Sequence, residues 1–442
     1  MSGRFPYLKS IFLCCVLITP SCSPSKPKDN PETLRKELSS DTIKYEQIGQ
    51  IEKGFLTIDH NIDLKGNICI LPEGVTLYQK GGIIRNGILI GNNTGIKTKG
   101  AIFDDVTIRG SWNVPDISSK LFKNLSEDNA LRNVMALSNP KVQNKITIEN
   151  GIYKVVAIKG DSTCLSVCSN TDMIINGTIE LKANDLKEYN IIEVKGESIR
   201  IKGKGTIIGD KHTHTGKRGE WGMGIRFHQA NNASVTGLTI KDCWGDCIYV
   251  GGNSKNILIE NCKLDHGRRQ GISVTKANGV TIRKCTITNV NGTKPQYAID
   301  IEPNRPDSVD NILIEKVTVK DCEGGFLVYK GKRNKAAKTP WIGCVTIRNC
   351  SVSGRNKFPV CIKRGGKVRI EDSNIYTKTG RAAISVTETE SAIVMNNTIS
   401  VENSVLESAK SHVKQMTGKS VNPISINTTA NVIVKNNEII ER

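Results

Sequence analysis

The chain repeats itself, and the repeat limits the folds open to it. The segments "GIRFH" (224–228), "CIYVG" (247–251), "GISVT" (271–275), "AIDIE" (298–302), "FLVY" (326–329), "VCIK" (360–363), "AISVT" (383–387) and "PISIN" (423–427) each alternate apolar and polar residues. Most follow one another at about 24 residues, with a few insertions, which is the mark of a solenoid. A second family lies between them: "ILIENCKL" (257–264), "VTIRKCTI" (280–287), "ILIEKVTV" (312–319), "VTIRNCSV" (345–352), "VRIEDSNI" (368–375), "AIVMNNTI" (392–399) and "VIVKNNEI" (432–439). Its sixth position reads Cys262, Cys285, Val317, Cys350, Ser373, Asn397 and Asn437. If each coil stacks on the next at about 4.8 Å, identical positions form ladders along the axis. Cys in an inward ladder is a small buried hydrophobe, so these thiols read as structural, neither disulfides nor zinc ligands.

Two or three short strands per coil, no long helices and Asn/Gly-rich turns predict an all-β, single-stranded parallel β-helix of coils of about 24 residues over 151–442. Together with "SIRIKGKGTIIGD" (198–210), the repeats resemble the pectin-lyase-like right-handed parallel β-helix superfamily. That scaffold hosts lyases, hydrolases and binding proteins, so the resemblance implies fold more than activity. Residues 45–150 read as a Gly-punctuated, β-rich N-terminal region. Two short helical segments are expected, at 116–137 and 404–416, because their apolar residues fall near helical spacing. A helix capping an open β-helix end would cover its unpaired edge.

The first residues, "MSGRFPYLKSIFLCCVLITPSCSPSKPKDNP", carry a positive start and a short apolar run, the anatomy of an export signal over 1–21. Cys22 follows, and the stretch resembles a bacterial lipoprotein signal, although Thr19 departs from its usual aliphatic residue. The resemblance implies lipidation at Cys22, a tether over 22–44 and a place in the bacterial cell envelope, in the outer membrane or periplasm. With Cys14, Cys15 and Cys22 set aside, an odd number of cysteines remains, so at least one thiol is unpaired. The formal net charge of +19 suits an anionic partner. No nucleic-acid motif is present, and a monomer acting on a polysaccharide is the expected state.

Register turns the repeats into a candidate site. The outward centre position reads Glu193, Arg226, Tyr249, Ser273, Asp300, Leu327 and Cys361. Two residues on it reads His228, Gly251, Thr275, Glu302, Tyr329 and Lys363, and three residues before it Asp246, Gln270 and Tyr297. The catalytic candidates are Asp300, Glu302, Asp246, Arg269, Arg268 and His228. Arg226, Tyr249, Gln270, Tyr297, Tyr329 and Lys330 are candidates for gripping sugar, since aromatic rings stack on sugars and Arg pairs with acidic substituents.

Two chemistries compete for these residues. Asp300 and Glu302 lie two residues apart on one strand, about 7 Å by the strand rise, within the 6.5–9.5 Å that inverting glycoside hydrolysis uses. The same paired acids resemble the Ca2+ ligands of some β-helix lyases, which would make Asp300 and Glu302 metal ligands in a β-elimination on a uronate. The basic charge tips the expectation toward a lyase acting on an anionic glycan. A glycoside hydrolase in the same groove, or a non-catalytic glycan-binding surface protein, is the alternative. Polygalacturonase-type motifs are incomplete: "WGDC" offers one Asp and "DHGRRQG" lacks Gly-His-Gly, so those roles do not transfer.

Overall fold

The computed structural model describes residues 42–123, 130–304, 306–331, 341–378, 381–402, 423–427 and 431–441. Within residues 144–441 each coil lays down three short strands that pair in parallel with the coils above and below, whereas near the N-terminus Ile51–Glu52 pairs antiparallel with Phe55–Ile58. The expected solenoid is therefore present, with three strands per coil. One coil consists of Ile248–Gly251, Ser254–Glu260 and Lys263–Asp265, and the next of Ile272–Val274, Ala277–Arg283 and Thr286–Thr288. The alternation explains why: inward Ile, Val and Leu fill the interior from both sides of each turn, and burial of that apolar area drives the stack.

Two tight turns keep the coils in phase. The residue before the small inward position adopts positive φ throughout, at Asn261, Lys284, Lys316, Asn349, Asp372, Asn396 and Asn436. Asp242, His266, Asn289 and Asp321 do the same after the third strand. Asn and Asp tolerate this left-handed region better than other residues with a side chain. Between these turns runs the ladder predicted from sequence. Cys262, Cys285, Val317, Cys350, Ser373 and Asn397 are all buried. The thiols donate to carbonyls of their own or the preceding coil, as Cys350 does to Ile314 and Arg348. Toward the C-terminal end the ladder turns polar, and the Asn397 and Asn437 side chains bond to each other at 2.9 Å.

On the second sheet the outward column alternates in charge. Glu260, Arg283, Glu315, Arg348 and Glu371 stack in register. Arg283 pairs with Glu260 at 2.9 Å and Arg348 with Glu315 at 2.8 Å. Part of the chain's positive charge is thus neutralised along this face.

The N-terminal region follows the same principle with shorter coils. Ile62, Ile84, Phe103 and Phe122 align through successive parallel pairings. Asp116–Ser118 then pairs with Lys145–Thr147, and one buried apolar core runs from Ile48 to Ile424. The helix expected over 116–137 is reduced. Asp116–Ser118 is a strand, Ser119–Leu121 a 3-10 turn and Ala130–Ala136 an α-helix. Strand pairing outweighs helical spacing here because Ile117 is buried in the stack. Thr42–Ile43, expected in the tether, pairs with Ile68–Cys69. The signal, Cys22, the tether to residue 41 and the expected helix at 404–416 lie outside the described residues.

Candidate active site

The column read from sequence is the column in space. Glu193, Arg226, Tyr249, Ser273, Asp300, Leu327, Cys361 and Ser385 are successive parallel partners. On this first sheet Arg226, Tyr249, Arg269, Ser273, Asp300 and Glu302 line a cleft of about 330 Å³. Its floor is low where Ser273 and Thr275 are buried.

The acids are less exposed than expected. Asp246 and Asp300 point outward from the coil interior but are 0% and 2% exposed. Side chains from the turn after the third strand cover them. Gln270 donates from Nε2 to Asp300 Oδ2 at 2.5 Å, and its Oε1 accepts the Tyr297 amide at 2.7 Å. Ser273 donates to Asp246 Oδ2 at 2.7 Å. Arg269 stands 3.3 Å from Asp246 and 3.4 Å from Glu220. Asp300 Oδ1 is buried without a hydrogen-bond partner, beside the cleft.

This packing sets the protonation states. Burial pushes the Asp300 carboxyl well above the usual carboxylate range, and the charge of Glu302 pushes it further, against the opposing pull of Arg269. Burial also raises Glu302, which Arg269 counters. Asp246 is raised by burial, opposed by Arg269 and by the bond from Ser273. Both carboxyls are raised, Asp300 the more strongly, so of the two Asp300 is the one that burial most favours in its protonated form. Two carboxyls whose pKa values differ can donate a proton at one point and accept one at another.

The other candidates divide. Arg226 stacks over Tyr249 at 5.9 Å, lies 3.7 Å from Glu193 and contacts His228 Nδ1 at 3.3 Å. Burial, followed by the charge of Arg226, lowers the His228 pKa. Thr275 donates to the Tyr249 hydroxyl at 2.7 Å. Tyr329 lies one coil beyond Glu302, and Arg364 donates to its hydroxyl at 3.3 Å. Lys330 follows it, its amide bonded to Lys363. Tyr297 is buried and does not line the cleft, and burial raises its pKa.

Arg268 is not brought to the cleft. Its guanidinium donates to the Trp244 and Gly219 carbonyls and to the Thr293 hydroxyl, and stacks 3.6 Å from the Trp244 ring. It fastens a loop.

That loop, 209–220, supplies cleft residues absent from the repeat. Asp210, fully buried, accepts from the Tyr189 hydroxyl, from Asn184 at 2.8 Å and from His214 at 2.8 Å. His214 stacks on Trp244 at 3.9 Å. The loop thereby delivers Glu220 and Trp221 to the wall, and Glu188 pairs in register with Trp221. The sequence signal for them was the insertion between strands "TII" and "GIRFH".

Two expectations change. The cleft is not basic: four carboxyl side chains, Glu188, Glu220, Asp300 and Glu302, line it beside Arg226 and Arg269, and both arginines already face acids. Nor do Asp300 and Glu302 fit a Ca2+ ion. An amide N–H points at Asp300 and a guanidinium stands beside the pair, whereas Ca2+ takes six to eight oxygens. Among the described residues no group of three or more His, Cys, Asp or Glu side chains is placed to hold a metal ion.

Comparison with known proteins agrees with the fold. The chain is 25% identical over 182 residues to the prophage-derived uncharacterised protein YorA of Bacillus subtilis, covering 36% of this chain and 31% of that one. It is 32% identical over 116 residues to an exopolygalacturonase of Arabidopsis thaliana, covering 24% of each chain. These matches thus span about a quarter to a third of the relatives' own lengths. Among solved structures, a hyperthermoactive exopolygalacturonase from Thermotoga maritima aligns over 67% of this chain and 84% of its own, with 13% identity and a TM-score of 0.35. The family described as "Right handed beta helix region" matches residues 146–302 and 305–442, and the chain belongs to that family.

Proposed function

We propose that the chain is a glycan-cleaving enzyme that hydrolyses a polysaccharide laid along the cleft, with Asp300 as general acid and Glu302 as general base. One observation carries the reading. Asp300 is a buried cleft residue whose Oδ1 has no hydrogen-bond partner and whose pKa burial raises well above the carboxylate range, and Glu302, two residues on, lies about 7 Å away along the backbone. Asp300 would pass its proton to the glycosidic oxygen as the bond to the anomeric carbon breaks. Glu302 would take a proton from the water that attacks the opposite face, an arrangement that inverts the centre. Asp246 and Ser273 would hold Arg269 and the floor in place. The similarity of 116 residues to an exopolygalacturonase supports a glycan as substrate.

A β-elimination reading retains one support, the two arginines beside the acids. It requires a cation to neutralise the uronate carboxylate, and both guanidinium groups are engaged with the protein's own acids. Export and a lipid anchor at Cys22, drawn from residues 1–31, complete the proposal and place the enzyme at the cell envelope; labelling with radioactive palmitate tests the anchor.

The deciding experiment is a digest of a panel of neutral, uronate and sulfated polysaccharides, read by mass spectrometry. Saturated ends, one water heavier than unsaturated ones, are expected, and Asp300→Asn should abolish them. Unsaturated ends would replace hydrolysis with elimination. Binding without any product would mean a glycan-binding protein.

A further inference from the structure

A carboxylic acid has two oxygens, and only the one bearing the proton can donate. The two oxygens of Asp300 have different surroundings. Oδ2 receives the Gln270 side-chain amide at 2.5 Å, while Oδ1 is buried without a partner, in a residue that lines the cleft. The orientation of Gln270 is not free. Its Oε1 accepts the Tyr297 backbone amide at 2.7 Å, and a backbone N–H can only donate. The Gln270 oxygen must therefore face Tyr297, and its NH2 group must face Asp300. An oxygen that accepts from that NH2 group cannot also point a proton at it.

We infer that Gln270 is a positioning residue that assigns the transferable proton of Asp300 to Oδ1, the oxygen left without a hydrogen-bond partner. The Tyr297 amide orients Gln270, Gln270 occupies Asp300 Oδ2, and the Asp300 O–H is left on Oδ1. On transfer, the proton leaves Oδ1 for the leaving oxygen, which takes the electron pair of the broken C–O bond. The carboxylate left behind keeps the Gln270 N–H on Oδ2, and Arg269 stabilises its charge. The charged groups around this carboxyl are Glu302 just past the end of its strand, Arg269 from the turn beneath it, and Asp246 two coils back. Gln270 itself is uncharged and fully buried, so it fixes the direction of the proton without adding a charge of its own.

The catalytic meaning rests on the hydrolytic reading above, but the proton's address is measurable without any substrate. Infrared difference spectra of the full chain at pH 7 would carry a carboxylic C=O band assigned to Asp300 by its loss in Asp300→Asn. With Oδ2 as the carbonyl oxygen, Gln270→Met removes its donor, and the band should move to higher wavenumber without vanishing. No band in the wild type, or one that Gln270→Met leaves in place, would overturn the inference.

Should Gln270→Met fail to fold, Gln270→Glu keeps an acceptor for the Tyr297 amide while removing the N–H. The introduced carboxylate then becomes an acceptor itself, which should draw the proton to Oδ2 and move the band to lower wavenumber. An unmoved band there has the same consequence. A chain that shows the expected shifts but cleaves no glycan would sink the hydrolytic reading alone.

Discussion

Arg269 stands 3.3 Å from Asp246, a carboxylate with no exposure, while the arginine itself is only 18% exposed. Removing one partner from a buried pair leaves the other charge without compensation, at a cost of about 3–5 kcal/mol. Arg269→Met should therefore destabilise the protein by roughly that amount at pH 8. The deficit should shrink toward pH 4, because without the guanidinium Asp246 folds only in its protonated form. Urea unfolding of both proteins at the two pH values checks this. Equal deficits at pH 4 and pH 8 would mean that Asp246 is not the residue left stranded.

Asp300 sets a second pH dependence. Its folded pKa is raised, so the stability linked to its proton is complete below the unfolded value of about 3.9 and is lost as pH rises through the folded value. Wild-type stability should fall between pH 4 and pH 8, with Glu302 and Asp246 adding to the slope. Asp300→Asn should flatten that slope and be more stable than wild type at pH 8, while activity drops by about 10²–10⁴-fold. A variant both inactive and less stable at pH 8 would point to a structural role for the acid.

How far the sequence reached depended on where each constraint lay. Asp300 could be placed beside Ser273 and Leu327 because the inward isoleucines on either side, Ile299 and Ile301, repeat with the coil. A period of two leaves no other face for the acid. Burial of that acid was not legible, because its cover comes from Gln270 and Arg269 in a turn whose path no periodicity fixes. The place of Glu220 and Trp221 on the cleft wall stayed hidden for a similar reason. Their loop is held by its own Asp210 bonded to Tyr189 and by Arg268 two coils on, contacts that form only in the folded chain. The segment 116–137 misled because Ile117, Leu121 and Phe122 satisfy helical spacing and also suit a strand and turn on the stack.

The left-handed turns make a prediction independent of function. Asn349 is exposed at φ 53°, one residue before the buried Cys350. A β-branched residue there meets the steric penalty of that region, about 1–2 kcal/mol. Asn349→Val should lower the unfolding free energy by roughly that much, and Asn349→Gly should be close to neutral. Urea titration of the three proteins distinguishes them. Equal stability of the Val and Gly variants would show that the turn relaxes.

Trp221 and Arg226 separate two properties of the substrate. Trp221 is half exposed at the cleft wall, and Arg226 lies on the floor over Tyr249. Both stand coils away from Asp300, so they would hold the substrate equally in its ground and transition states. Such uniform binding appears in KM and not in kcat. Trp221→Ala should raise KM on a long polysaccharide by about threefold to tenfold, as expected for loss of one aromatic contact, and leave kcat nearly unchanged. On a disaccharide that cannot reach the wall, the variant should match wild type. Arg226→Gln then asks about charge. With Glu193 at 3.7 Å, the arginine's charge is already partly answered by the protein. A neutral glycan should therefore lose little affinity in Arg226→Gln, while a uronate polymer that relies on this group should lose tenfold or more. Equal loss on both would make Arg226 a support for the Tyr249 ring, with no part in reading the charge of the glycan.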